Sequence, residues 1–234
     1  MSEDHNAYQR RYYTERPLPR LSLDLAGTPY VKNQVDAVVT SLDLEPGATV
    51  LDVGCGLGKY TVALADLGIN VEGLDLTPEL IEELRERRPD IPGHVGDAAT
   101  PLPQLAGRFD ATVGFFFLHH VDHLSGVFTN LHATLRPGGR LAFLEPNPYF
   151  PGYYAQIAFT RGMTWRGERG ILRMRPSTIR KAADASDLRL TGHGAFGAVP
   201  PVLANRKWGR AMERVAEKIP MWDRVGAFRL LILE

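Results

Sequence analysis

The sequence predicts an α/β protein built on a largely parallel β-sheet with helices on both faces. Three observations carry that reading. Short β-rich runs alternate with helix-patterned runs through most of the chain. A glycine-rich turn, Val53-Gly54-Cys55-Gly56-Leu57-Gly58, follows the first of those runs directly. The run from Phe109 to Leu118 is almost continuously apolar, as a strand covered on both faces must be.

Each element has its own signal. Residues 1–28 form a polar arm containing aromatic residues, and 29–43 carry an amphipathic helical pattern. Residues 49–54 read as the first strand, followed by a helix from Lys59 to about Leu67. The second strand spans 70–76. The next helix opens at Thr77-Pro78-Glu79, where Thr77 suits the N-cap, Pro78 the first helical position and Glu79 the positive end of the helix dipole. A short third strand lies near His94-Val95-Gly96 and ends at Asp97, and the apolar run 109–118 is the fourth. A helix over about 123–136 is stopped by Pro137-Gly138-Gly139, read as a tight turn, before a fifth strand at 140–145. Residues 176–186 read as a helix opened by Pro176-Ser177. Two last strands, 188–192 and 227–233, bracket a helix at about 206–218.

Composition excludes several classes. Lys+Arg and Asp+Glu balance at 27 each, so no overall field draws the chain to nucleic acid or an anionic membrane, although a locally basic face is compatible with that balance. The single cysteine, Cys55, excludes an internal disulfide and fits a reducing compartment. No run reaches the roughly 18 apolar residues of a membrane helix, and the N-terminus lacks the apolar stretch of a signal peptide. The expected location is the cytoplasm.

The turn at Gly54–Gly58 points to a nucleotide-like cofactor, because glycines after a strand let a ligand approach the backbone. Its spacing departs from the dinucleotide fingerprint: Lys59 stands where that pattern wants a third glycine. Asp52, two residues ahead of Gly54, suits a ligand carrying an ammonium group and would repel a pyrophosphate. Asp75 at the end of the second strand can accept from two ribose hydroxyls, and Gly96-Asp97-Ala98 can read an adenine edge.

The strings VLDVGCGLG, GLDLTPELI, GDA, FDATVGFFFLHH and LRPGGRLAFLEPN, in that order over about residues 48–147, resemble the class I, Rossmann-like family of S-adenosylmethionine-dependent methyltransferases, in its type 11 or 25 small-molecule branch. The resemblance implies a seven-stranded Rossmann-like sheet, mostly parallel with an antiparallel last strand. It implies S-adenosylmethionine as methyl donor and S-adenosylhomocysteine as product. Asp52, Gly54 and Gly56 would line the methionine part, with Gly58 in the same cofactor-binding turn; Asp75 would hold the ribose, Leu76 flank the adenine, Asp97 and Ala98 hold it, and Phe115 sit beside the sulfonium. The chain is thus expected to divide into an arm or lid over 1–28 and a methyltransferase domain over 29–234, and the resemblance implies a substrate-recognition insertion at about 148–175.

Methyl transfer is an in-line displacement that owes much to positioning and needs a base only when the nucleophile arrives protonated. His119, His120 and Glu145, at the ends of the fourth and fifth strands, are the candidate catalytic groups; no metal is expected. Tyr12 and Tyr13 on the arm are candidates to close over the cofactor. Seven basic residues from Arg161 to Lys181, against the single acid Glu168, suit a carboxylate- or phosphate-bearing acceptor; a solvated helix face or a dimer contact is the alternative. The expected activity is methylation of an O or N atom of a small organic acceptor. An RNA or protein methyltransferase and a non-catalytic S-adenosylmethionine-binding protein are the alternatives. Neither nucleic acid nor a membrane span is expected, and the oligomeric state is left open.

Overall fold

The computed structural model describes residues 23–159, 164–197, 204–216, 218–219 and 222–234. Seven strands form one sheet: β1 (Thr49–Val53), β2 (Asn70–Asp75), β3 (Gly93–Val95), β4 (Phe109–Phe115), β5 (Leu135–Pro146), β6 (Leu190–Phe196) and β7 (Phe228–Leu233). Their order across the sheet is β3-β2-β1-β4-β5-β7-β6. The first five are parallel, whereas β7 runs antiparallel to both β5 and β6. The sheet therefore matches the expected topology. Strand order reverses between β1 and β4, the switch point where open α/β sheets hold ligands at the carboxyl ends of their strands.

The helices are α1 (Pro29–Ser41), α2 (Lys59–Ala65), α3 (Pro78–Arg87), α4 (Leu124–His132), α5 (Pro151–Phe159), α6 (Trp165–Glu168), α7 (Pro176–Asp184), α8 (Lys207–Ala216) and α9 (Trp222–Val225). Alternate residues of the same strands feed two apolar layers. Leu51, Leu141 and Phe143 enter one layer with Phe128 of α4 and Ile179 of α7. Val50, Ala142 and Leu144 enter the other with Val31, Val35 and Val38 of α1. Both faces of the sheet are thus dry, which is why the run that forms β4 is almost continuously apolar and β5 is apolar from Leu141 to Leu144. None of the helices among the described residues is long and apolar enough to cross a membrane.

Two sequence expectations are corrected. Pro137-Gly138-Gly139 does not separate α4 from β5. The helix ends at His132, and β5 already pairs at Leu135 with Phe109 before resuming at Arg140 opposite Ala111. Residues 136–139 form a bulge inside the strand, with Gly138 at φ 83°. Strand β4 stops at Phe115 rather than Leu118, because Phe116 turns the chain with φ 58° into a 3-10 turn at Leu118–His120.

Candidate active site

A cavity of about 770 Å³ opens at the carboxyl ends of β1, β2 and β4, within the ~300–1,000 Å³ typical of small-molecule sites. Gly54 and Gly56 form one wall, Asp75 and Leu76 a second, and Asp97 and Ala98 a third, with Phe115 at its floor. These seven predicted cofactor residues converge from four strand ends, those of β1, β2, β3 and β4.

The glycines act differently from one another. A Cβ on Gly54 would stand 2.5 Å from the Phe117 ring, so that glycine makes room for the turn after β4. Gly56 has φ 56° and nothing within 4 Å of a Cβ, so its bare backbone faces the cavity. Gly58 does not line the cavity; at φ 89° it caps α2 and admits the Leu84 side chain of α3.

The carboxylates also divide. Asp75 Oδ2 accepts from the Gly56 amide at 2.8 Å and Oδ1 from the Thr77 amide at 2.9 Å, which ties the glycine turn to the end of β2. Burial raises its pKa, opposed by those amides. Asp97 Oδ1 accepts from the Ala99 amide at 2.8 Å. Asp52 is placed otherwise than expected. It lies buried beneath the turn, outside the cavity wall, accepting from Thr61 Oγ1 at 2.7 Å. Burial first, with Asp75 nearby adding to it, pushes its pKa up to about 7. Tyr60 stacks on Phe115 with ring centroids 4.2 Å apart and donates to Gln34.

At the opposite end, Glu145 does not point into the cavity as the sequence suggested. It is wholly buried, and its Oε1 accepts from the amides of Phe117 and Leu118 at 2.9 and 2.6 Å. It thereby secures the turn that follows the left-handed Phe116. Its Oε2 lies 2.6 Å from His119 Nδ1, while His119 Nε2 faces Glu168 Oε2 at 3.4 Å. Burial alone would lower the His119 pKa, but the carboxylates on either side override it and raise it to about 9. His119 is therefore an imidazolium at neutral pH, a donor held in place rather than a base. His120 stacks obliquely against it, centroids 3.9 Å apart, and lines the cavity.

Glu168 is the group that sequence reasoning missed. The sequence marks it only as the single acid of a basic stretch, yet among the described residues none of the Arg161–Lys181 cations lines the cavity, while Glu168 does. Tyr153 Oη donates to Glu168 at 2.8 Å, and Arg173 instead pairs with Asp122 at 2.8 Å. Gly170 permits this arrangement: a Cβ there would collide with the His119 carbonyl, so the segment rides directly on the turn after β4. His119, His120 and Glu168 hold donor atoms within 4.8 Å of one another, a spacing compatible with a metal ion as well as with the ion pairs described. Leu25, Tyr30, Phe116 and Phe228 give this end apolar walls. Tyr12, Tyr13 and Arg161 lie outside the described residues, as does the side chain of Arg166.

The family described as "Methyltransferase domain" matches residues 10–193, most of the chain. The chain belongs to that family. The methyltransferase domain is 35% identical over 131 residues to a demethylmenaquinone methyltransferase of Beutenbergia cavernae, covering 53% of this chain and 54% of that one. It is 36% identical over 128 residues to a ubiquinone biosynthesis O-methyltransferase of Xanthomonas axonopodis pv. citri, covering 53% of each. The matched region thus spans about half the length of these curated relatives. Among solved structures, the fold resembles geranyl diphosphate C-methyltransferase from Streptomyces coelicolor A3(2), determined with Mg2+, geranyl-S-thiolodiphosphate and S-adenosyl-L-homocysteine. That likeness has a TM-score of 0.62 at 18% identity, over 99% of this chain and 98% of the other. A methyltransferase from Archaeoglobus fulgidus gives a TM-score of 0.59 at 16% identity, over 86% and 93%.

Proposed function

We propose that the cavity binds S-adenosylmethionine along the Gly54–Gly56, Asp75 and Asp97 walls and transfers its methyl to an O or N atom of a small acceptor with an apolar body. The observation that carries this reading is the continuity of one cavity from Gly56 and Asp75 to Glu168 and His120. When bound, the sulfonium supplies an electrophilic methyl, whose bond to sulfur breaks as the bond to the acceptor forms. Asp75 orients the ribose, and its two backbone partners keep the glycine turn in register with β2. Leu76 and Ala98 enclose a flat ring.

On the acceptor side, Glu168 takes the proton from a hydroxyl or amine, with His120 beside it. His119, charged and anchored by Glu145, positions the Glu168 carboxylate. The apolar walls at Tyr30, Phe116 and Phe228 exclude water and hold the acceptor body. The arginine-rich stretch had suggested an anionic acceptor. A carboxylate facing the cavity favours instead a neutral, proton-bearing nucleophile such as a phenol or enol hydroxyl.

Calorimetric titration with S-adenosylhomocysteine should give micromolar-range binding, and titration with NADH none; the reverse result would sink the cofactor reading. Transfer of labelled methyl to a panel of phenols, enols and amines, followed by mass spectrometry, tests the acceptor class. Methylation confined to carboxylate or phosphate oxygens would overturn it.

A further inference from the structure

Helix α8 presents an apolar stripe that no packing among the described residues accounts for. Trp208, Met212, Val215 and Ile219, the last in the turn that continues the helix, are 51, 52, 66 and 52% exposed. Their spacing of four, three and four places them on one face. A neighbouring face packs inward through Gly209 and Glu213, both buried. Single exposed apolar residues are ordinary, but four of them along one helix, a tryptophan included, mark an interaction surface.

The charges beside the stripe select its partner. From Arg206 to Lys218 the sequence carries five cations, Arg206, Lys207, Arg210, Arg214 and Lys218, against two acids. One of those acids, Glu213, is buried away from solvent. Arg206, Lys207 and Lys218 are exposed. A helix with an apolar face and a cationic flank lies in the interface of an anionic bilayer, its apolar side among the acyl chains and its cations on the headgroups. The balanced total charge of the chain conceals this local asymmetry.

The helix also stands at the rim of the cavity. Asn205, two residues before α8, lines the cavity wall, and its Oδ1 accepts from the Tyr30 amide at 3.0 Å. We infer that α8 docks the protein on an anionic membrane surface and brings the acceptor end of the cavity to the bilayer, so that the acceptor is lipophilic. The inference rests on the acceptor reading above only in that last clause.

The test is co-sedimentation of the whole chain with vesicles of phosphatidylcholine, with and without phosphatidylglycerol, and no acceptor present. Binding should require the anionic lipid and weaken as salt rises. Trp208→Ser with Val215→Ser should lower vesicle affinity about tenfold or more by removing apolar area, and Val215→Asp alone should act in the same direction. All variants should keep wild-type affinity for S-adenosylhomocysteine, which certifies the fold. Three results would overturn the inference: no vesicle binding, vesicle binding that the variants leave unchanged, or a stripe-dependent dimer without vesicle binding. Failure on vesicles with S-adenosylhomocysteine bound normally leaves the methyl-transfer reading intact, and loss of nucleoside binding alone leaves the docking surface intact.

Discussion

The two ends of the cavity are built by different means. The end proposed for the cofactor is made of backbone: left-handed glycines, amides that donate to Asp75, and side chains at or directly after strand ends. The end proposed for the acceptor is made of side chains carried from distant segments, with Glu168 meeting His119 and Tyr30 and Phe228 closing the walls. A backbone site can serve any acceptor, because its geometry follows from the sheet. A side-chain site can be rebuilt without disturbing the fold. The comparison predicts that damage at one end should leave the other working.

The largest separation should come from Glu168→Gln. Turnover should fall about 10²- to 10⁴-fold for loss of a proton acceptor, with S-adenosylhomocysteine affinity unchanged by calorimetry. A matching fall in cofactor affinity would mean that the two ends are one unit. Asp75→Ala is the converse: cofactor affinity should weaken about 10- to 100-fold, with helical content and unfolding midpoint near wild type.

Gly170→Ala sharpens the contrast through packing. The added methyl has no space against the His119 carbonyl, so stability should drop by about 1–3 kcal/mol in denaturant titration. Methyl transfer should be lost before cofactor binding.

A pH series tests the His119 assignment. Its pKa is raised from 6.5 to about 9 in the folded chain. The ion pairs therefore contribute fully below pH 6.5, and their contribution is lost as pH rises through 9. The stability difference between wild type and His119→Asn should shrink across that window by on the order of 1–3 kcal/mol. A difference that grew with pH would mean that the ring is neutral. The smallest effect should be Arg173→Ala. It removes a half-exposed pair with Asp122 and should cost about 0.2–1 kcal/mol, with wild-type turnover.

The same division explains what could be read from the chain alone. Gly54, Gly56, Asp75 and Asp97 each lie at or just after a strand end, so local pattern was enough to bring them to one cavity, and the alternation of elements gave the sheet. Asp52 and Gly58 carry the motif's spacing, but they serve the packing beneath it. Glu145 was misassigned because sequence shows a strand-end carboxylate and not the two amides that occupy it. The place of Glu168 in the cavity is not legible in the sequence because tertiary contacts to His119 and Tyr153 set it. Within a basic segment the informative residue was the lone acid, since a buried carboxylate must be paired whereas exposed arginines need no partner.

The position of β7 bears on how the chain acquires its structure. This strand enters the sheet between β5 and β6, although it is the last of the seven to be made. During synthesis the five parallel strands and the cofactor end can assemble while β5 still offers an open edge bearing Leu141, Phe143 and Leu144. Until Phe228–Leu233 emerges, that edge is a template for pairing with another chain. The closing strand protects the molecule from its own half-made sheet.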